Sequence, residues 1–438
     1  MKTRVRLSLL IICSLICTAC TNTTEAEKQP QPQTVPVQDT LGMVPDFSYV
    51  VAEQIPNLFV DNTGYRPDDK KVAFFRGDLE EQTFDVIDLS TDETVYSGTL
   101  FKTKEMDGEN LYAGDFTEMV LVGKYYIRQS EIGDSHEFEI APDIYEKEFA
   151  VLQRLATEYT YTKVSDAAYV LANMLFLQEM FGEECVDTAF VEDTLAMLLN
   201  SQDTQSGAFY SEITEEPGSV SLTATAQMAG VLAKYSYLYK ETNPLFSMQC
   251  SRTAQSAYKY MEQYRGNTDT DAWYYAATEL FRATGQYKYR NAIREYDAME
   301  PGLKSRTVQN YTAMADFTYL STTYGTDYAR CAMLLDGYMD KAQSISVSST
   351  RDNFYVLPDI AAMADGEILD DMIILGVVNH VLSGKEYEGI ERNYIHYLSG
   401  VNPEAKDYLA ENVLLKDDEN KLDITNIAKM MVIYGNIN

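Results

Sequence analysis

The chain is poor in the residues that most often signal chemistry. It has three histidines (His136, His380, His396), one tryptophan (Trp273) and six cysteines in 438 residues. Three of the cysteines fall within the first twenty positions. The other three, Cys185, Cys250 and Cys331, are an odd, widely spaced set, which excludes a disulfide framework and a zinc site; each reads as a small buried hydrophobe. Histidine scarcity leaves no convincing Ser-His-Asp set, and there is no Gly-x-Ser-x-Gly, Walker or Rossmann glycine pattern. No cofactor or metal is implied. Basic residues are also few: 35 Lys and Arg stand against 67 Asp and Glu, a formal charge of −32. Such a surface repels phosphate backbones, which argues against nucleic acid as a partner.

What is present divides the chain in four. Residues 1–20 carry Lys2, Arg4 and Arg6, an apolar run from Leu7 to Ile16, and Thr18-Ala19-Cys20. This is the layout of a targeting segment, with an apolar stretch too short for a stable membrane span. Residues 21–50 begin with Glu, Gln, Pro and Thr and almost no large apolar residues, and read as a disordered tether. Residues 51–142 give seven candidate strands, with Phe84-Asp-Val-Ile-Asp-Leu89 and Tyr125-Tyr-Ile-Arg128 carrying the β-branched and aromatic enrichment of a sandwich. At Pro142 the period changes. Apolar residues then recur at three- and four-residue spacing through 143–438. That spacing predicts helices over 143–160, 166–182, 187–200, 220–240, 246–264, 271–284, 287–298, 306–324, 327–344, 358–382, 388–399, 404–413 and 421–434. About a dozen helices on short loops suit an all-α (α/α)6 toroid.

The stretch Asn57-Leu-Phe-Val-Asp-Asn-Thr-Gly-Tyr-Arg-Pro-Asp-Asp-Lys-Lys-Val-Ala-Phe-Phe75 reads as strand, Gly-Tyr-x-Pro turn, strand. It resembles the start of the immunoglobulin-like module that precedes the catalytic domain in many family-9 glycoside hydrolases, the cellulases. The helical part continues the resemblance. Leu199-Asn-Ser-Gln202, Gly207-Ala-Phe-Tyr210, Val220-Ser-Leu-Thr-Ala-Thr-Ala226, Asp271-Ala-Trp-Tyr-Tyr-Ala-Ala-Thr-Glu-Leu280, Arg282-Ala-Thr-Gly285 and Tyr394-Ile-His-Tyr-Leu-Ser-Gly-Val-Asn-Pro403 follow the family's order. The resemblance covers roughly residues 57–434 and implies a multidomain chain, an all-β immunoglobulin-like sandwich followed by the toroid. It also resembles bacterial lipoproteins at Cys20, which would be lipidated and hold the protein at the membrane, outside the cytoplasm.

Family membership implies an inverting glycosidase, with one carboxylate as base on water and one carboxylic acid protonating the leaving oxygen. The family's base lies in an Asp-Ala-Gly-Asp motif, its acid in an Asn-Glu pair. Register from Tyr169-Val170 puts the first on Thr162-Lys-Val-Ser165. Register from Ile424 and Ala428 puts the second on Asn420-Lys421. Neither carries the carboxylate, and no His-His-Arg segment exists. The candidate catalytic groups are therefore the neighbouring Asp166 and Glu419, one residue late and two residues early. Tyr161, beside Tyr159 and Tyr169, is the candidate sugar-binding residue. The expectation is a surface lipoprotein that binds a polysaccharide or oligosaccharide with hydrolysis lost or weak; an active β-glucan hydrolase with relocated carboxylates and a protein-interaction scaffold are the alternatives. Asp417-Asp-Glu-Asn420 fails the EF-hand spacing and reads as a solvated loop. Trp273 reads as core, and His396 as a packed or surface imidazole.

Overall fold

The computed structural model describes residues 55–438 except 107, 183–184, 215–217, 300–309, 353, 357–366, 383–384, 410–414, 416–420 and 438. Targeting and tether readings, including Cys20, lie outside the described residues. So do Glu419 and the acidic loop 417–420.

The start of the described chain is antiparallel β: β1 (Leu58–Phe59), β2 (Val72–Arg76), β3 (Thr83–Asp88), β4 (Thr94–Met106), β5 (Glu109–Asp115), β6 (Gly123–Gln129), β7 (Gly133–Asp134) and β8 (Phe138–Ile140), in the order β1-β2-β5-β4-β3-β6-β7 with β8 on β6. The long β4 turns this ribbon into a sandwich. Its first half pairs with β3 and its second with β5. Phe75, Phe84, Phe116, Phe138 and Ile127 fill the space between. Because side chains alternate along a strand, β2 is apolar on both faces. Ala73 and Phe75 point into the sandwich, whereas Val72 and Phe74 point into the helical core. Phe74 packs against Phe354, ring centres 4.8 Å apart and tilted by 52°, so one strand joins two cores.

Twelve α-helices are described after Ala141: α1 (Ile144–Glu158), α2 (Val164–Phe181), α3 (Thr188–Leu199), α4 (Leu222–Leu238), α5 (Pro244–Gln263), α6 (Thr270–Thr284), α7 (Tyr287–Met299), α8 (Asn310–Ser321), α9 (Tyr328–Ser349), α10 (Glu367–Leu382), α11 (Glu388–Leu398) and α12 (Ile424–Ile437). Between α3 and α4 lies the short hairpin β9 (Phe209–Tyr210) and β10 (Val220–Ser221). Alternate helices pack side by side, α12 on α2, α2 on α4, α4 on α6, α6 on α8 and α10 on α12, with the remaining helices outside them. The burial pattern follows this arrangement. In α4 every residue from Ala224 to Ser236 is buried, whereas α5 buries only the stripe Ser247, Cys250, Ala254, Ala257, Tyr258, Met261. Close packing of the inner ring needs Gly230: a Cβ there would stand 2.3 Å from a ring carbon of Tyr275.

The helix expected over 404–413 is not formed in its described part. Residues 404–409 make turns and a bridge between Ser399 and Asp407. The reason is Asn402, whose amide donates to the Tyr397 and Lys406 carbonyls and accepts from the Glu404 and Lys406 N–H groups. Those backbone groups are thereby diverted from helical pairing. Of the described cysteines, only Cys250 is fully buried; Cys185 and Cys331, also expected to be buried, are half-buried. Trp273 is buried, with the Arg265 guanidinium 4.1 Å above its ring.

The sandwich and toroid also share polar contacts. Asp61 closes the Gly-Tyr-x-Pro turn by accepting the N–H of Thr63 (2.7 Å) and of Gly64 (2.8 Å) on one oxygen. Its other oxygen meets Nδ1 of buried His396 at 2.6 Å. Asp69, four residues past Tyr65, accepts from the Tyr145 hydroxyl at 2.6 Å and the Arg392 guanidinium at 2.8 Å. Gly64 has φ +129°, and a Cβ on it would lie 2.2 Å from the Glu139 carbonyl oxygen. That turn therefore requires glycine.

Candidate active site

Each inner helix is followed by an outer one that runs back, so the inner helices start at one end of the toroid and finish at the other. The starting end gathers the side chains of interest. α2 begins at Val164 within Thr162-Lys-Val-Ser-Asp166, and the chain there is laced to the hairpin: Val164 N–H donates to the Ser211 carbonyl, Ile213 N–H to the Thr162 carbonyl, and Lys163 bridges Glu212. No side chain caps α2 at Lys163. Asp166 lies in the first turn, half-buried, and accepts the Ser165 hydroxyl at 3.0 Å.

Around Asp166 stand tyrosines. Tyr169 meets Tyr311, at the start of α8, edge to face at 5.4 Å, and Tyr311 leans on Tyr275 of α6 at 5.0 Å. Tyr311 is buried and its hydroxyl has no hydrogen-bond partner. Its phenol is pushed well up from the ordinary range by burial, then by Tyr169 and by the negative charges of Asp269 and Asp166. Tyr161 belongs to the same neighbourhood: burial first, then Tyr159 and Asp166, raise its phenol. The Tyr161 hydroxyl donates to the Ala156 carbonyl at 2.7 Å, and its ring packs on Tyr159 and Phe190. Asp269 caps α6 by accepting the Ala272 N–H at 2.9 Å, and Asp271 accepts the Tyr296 hydroxyl at 3.0 Å. The structure thus brings Asp166 and Tyr161 together and adds Tyr311 and Asp269.

The position expected for the second carboxylate is different in kind. Lys421 is exposed, ahead of α12. Two residues on, Asp423 accepts the N–H of Thr425 (2.9 Å) and Asn426 (3.2 Å), the work of a helix cap. Chemically, this end offers aromatic faces and carboxylate acceptors, the groups that stack on and hydrogen-bond to a hydroxyl-rich ring. At the finishing end of the inner helices the polar groups are buried. Lys234 of α4 is enclosed by Glu179 of α2, Glu279 of α6, the Tyr237 hydroxyl (3.0 Å) and Thr318 of α8 (3.4 Å). Among the described residues, no group of three or more His, Cys, Asp or Glu is placed to hold a metal ion.

Sequence reasoning missed Tyr311 and Asp269 as members of this cluster. Asp269 carried a local signal as a cap two residues before Asp271. Tyr311 carried none, because only ring closure brings the start of α8 across from that of α2.

These elements define a toroidal glycosidase scaffold with a sandwich on one flank. Residues 148–412 match the family model for glycosyl hydrolase family 9, and residues 53–134 match that of the cellulase N-terminal ig-like domain. The chain belongs to glycosyl hydrolase family 9. No curated protein sequence matches it. Among solved structures it is similar to a metagenome-derived family-9 endoglucanase (TM-score 0.71, 17% identity, 87% of this chain and 98% of that one). It is also similar to a Bacteroides ovatus family-9 protein (0.69, 14%, 87% and 98%), and to AaCel9A solved with a cellobiose-like isofagomine (0.67, 13%, 86% and 99%). At these identities the likeness speaks for the fold alone.

Proposed function

We propose that this family-9 chain binds a polysaccharide, with a β-glucan as first candidate, at the end of the toroid holding Asp166, Tyr161, Tyr169 and Tyr311, and that its hydrolysis is lost or weak. One observation carries the reading: in the family register the base and acid positions are Ser165 and Lys421. A hydroxyl cannot take the proton from water as a carboxylate does. A lysine ammonium is a poor acid for a leaving oxygen at neutral pH. Aromatic rings and carboxylates that can hold a sugar remain. The named ligand of AaCel9A, a cellobiose-like compound, supports the choice of glucan. We also infer that Cys20 carries a lipid and that residues 21–50 hold the domains off the membrane.

The test is hydrolysis and binding of a polysaccharide panel by the full chain, beside Asp166→Asn, Glu419→Gln and Tyr161→Ala. Expected are no turnover and saturable binding that weakens in Tyr161→Ala. Turnover abolished by Asp166→Asn or Glu419→Gln would overturn the reading in favour of relocated catalysis. Absence of both turnover and binding would leave a scaffold role.

A further inference from the structure

The hairpin β9–β10 touches two groups of tyrosines at the starting end of the inner helices. On one side Ser211 and Glu212 lace it to Val164 and Lys163, beside Tyr161 and Tyr169. On the other side the turn ahead of it, 203–207, rests on α5. Gly207 has φ +86°, and a Cβ there would stand 2.4 Å from the Ser256 hydroxyl oxygen, so glycine lets the turn settle on that helix. Tyr260 lies one helical turn beyond Ser256, and one turn further Tyr264 closes the end of α5.

These rings face outward. Successive side chains along a strand point to opposite faces. Phe209 is fully buried in the helical core, so Tyr210 points away from it and is half-exposed. In the chain Tyr210 falls between Gly207, which touches α5, and Ser211, which bonds α2. The rings of Tyr260 and Tyr264 meet at 5.0 Å, tilted by 43°, the contact of residues four apart on a helix. That contact half-buries Tyr260 but leaves Tyr264 45% exposed. Burial first, then Tyr264 and the negative charge of Asp203, raise the Tyr260 phenol, which sets the pair beside the turn. The loop that follows leads back to the inner cluster. Thr268 donates its hydroxyl to the Tyr264 carbonyl at 3.2 Å, and the next residue, Asp269, caps α6 and acts on Tyr311. Carboxylates dominate this end: Asp166, Asp203, Glu212 and Asp269 stand against Lys163 and Arg265, and Arg265 is held by Glu295. That surplus repels an acidic polymer and leaves a neutral one unopposed.

We propose that Tyr210, Tyr260 and Tyr264 form an outer track that carries a neutral polysaccharide past the Tyr161–Tyr169–Tyr311 cluster, so that the ligand is a long chain and a short oligosaccharide fills the inner part alone. Aromatic faces take the apolar faces of successive sugar rings, and phenol hydroxyls meet their polar edges. This rests on the polysaccharide reading above and adds to it the length and charge class of the ligand.

Calorimetric titration of the full chain with cellotriose, cellohexaose and hexagalacturonate tests the track. Cellohexaose is expected to bind about tenfold more tightly than cellotriose, and hexagalacturonate at least about tenfold more weakly than cellohexaose. Tyr210→Ala and Tyr264→Ala should each weaken cellohexaose by about fivefold and leave cellotriose unchanged. Tyr264→Phe, which keeps the ring, should retain most of the affinity. Tyr161→Ala should weaken both glucan fragments. Thermal melts check that every variant is folded. The track is refuted if cellohexaose binds no more tightly than cellotriose, or if neither Tyr210→Ala nor Tyr264→Ala weakens it. Equal weakening of cellotriose by those two changes, or hexagalacturonate binding as tight as that of cellohexaose, would refute it as well. In each of these cases cellotriose binding that is weakened by Tyr161→Ala leaves the inner cluster standing. Absence of binding by both glucan fragments would sink the β-glucan reading of the inner cluster and the track with it.

Discussion

Asp61 of the sandwich and His396 of the toroid meet at 2.6 Å, Oδ2 to Nδ1, although 335 positions separate them. Both are buried, and the Tyr65 ring lies 4.7 Å from the imidazole. A turn between two strands is thus tied to α11, which opens the Tyr394–Pro403 segment.

This pair makes stability depend on pH. Burial pushes the Asp61 carboxyl up to about 6, while the hydrogen bond and charge of His396 pull it down. A folded value above the unfolded one means that Asp61 favours the folded state fully below about pH 4. The contribution is lost as pH rises through about 6. That rise of the Asp61 carboxyl corresponds to about 3 kcal/mol. Asp61→Asn, which keeps the acceptor for Thr63 and Gly64, is expected to flatten the dependence of Tm on pH between 4 and 6. An unaltered slope in thermal melts of the variant would refute the assignment.

Phe74 belongs to the helical core although it sits on a β-strand. Phe74→Ala is expected to cost about 3–5 kcal/mol, the usual loss for a buried aromatic ring. Because Phe74 packs on Phe354 across the domain boundary, sandwich and toroid should still unfold in one transition. Denaturant melts followed by separate helix and strand signals check this; two separated transitions in the wild type would contradict it.

Lys234 is completely buried beside Glu179 and Glu279. Burial raises the Glu279 carboxyl, whereas the Lys234 and Arg282 charges outweigh burial and hold Glu179 low. Lys234→Met leaves the glutamates without their buried cation and should cost about 3–5 kcal/mol. Replacing both glutamates by Gln in the same chain should recover much of that loss. If the triple variant is no more stable than Lys234→Met, the damage came from packing instead.

Cys20→Ser is expected to release the protein from membranes in cell fractionation, since a lipid on that thiol is the proposed anchor. Variant protein that pellets with membranes after leader removal would show another means of attachment.

Local patterns carried much of this molecule. β-branched and aromatic enrichment marked β3 and β6, the change at Pro142 marked the first helix, and Gly64 and Pro67 marked the turn, because each is a property of a few neighbouring residues. The proposal that Ser165 and Lys421 stand where the family has carboxylates rests likewise on residue identities in register. Where local signals compete, reading failed: 404–413 has helical spacing, but Asn402 diverts its first backbone groups.

The sequence alone therefore determined the element types, their order, and which charges stand near each helix start. Tertiary structure decided that Tyr311 faces Asp166 and Asp269, that Asp61 finds His396, and that Lys234 has two buried glutamates around it. No window of neighbouring residues contains those partners. They meet because helices from distant parts of the chain close into a ring and one β-strand must bury both of its faces.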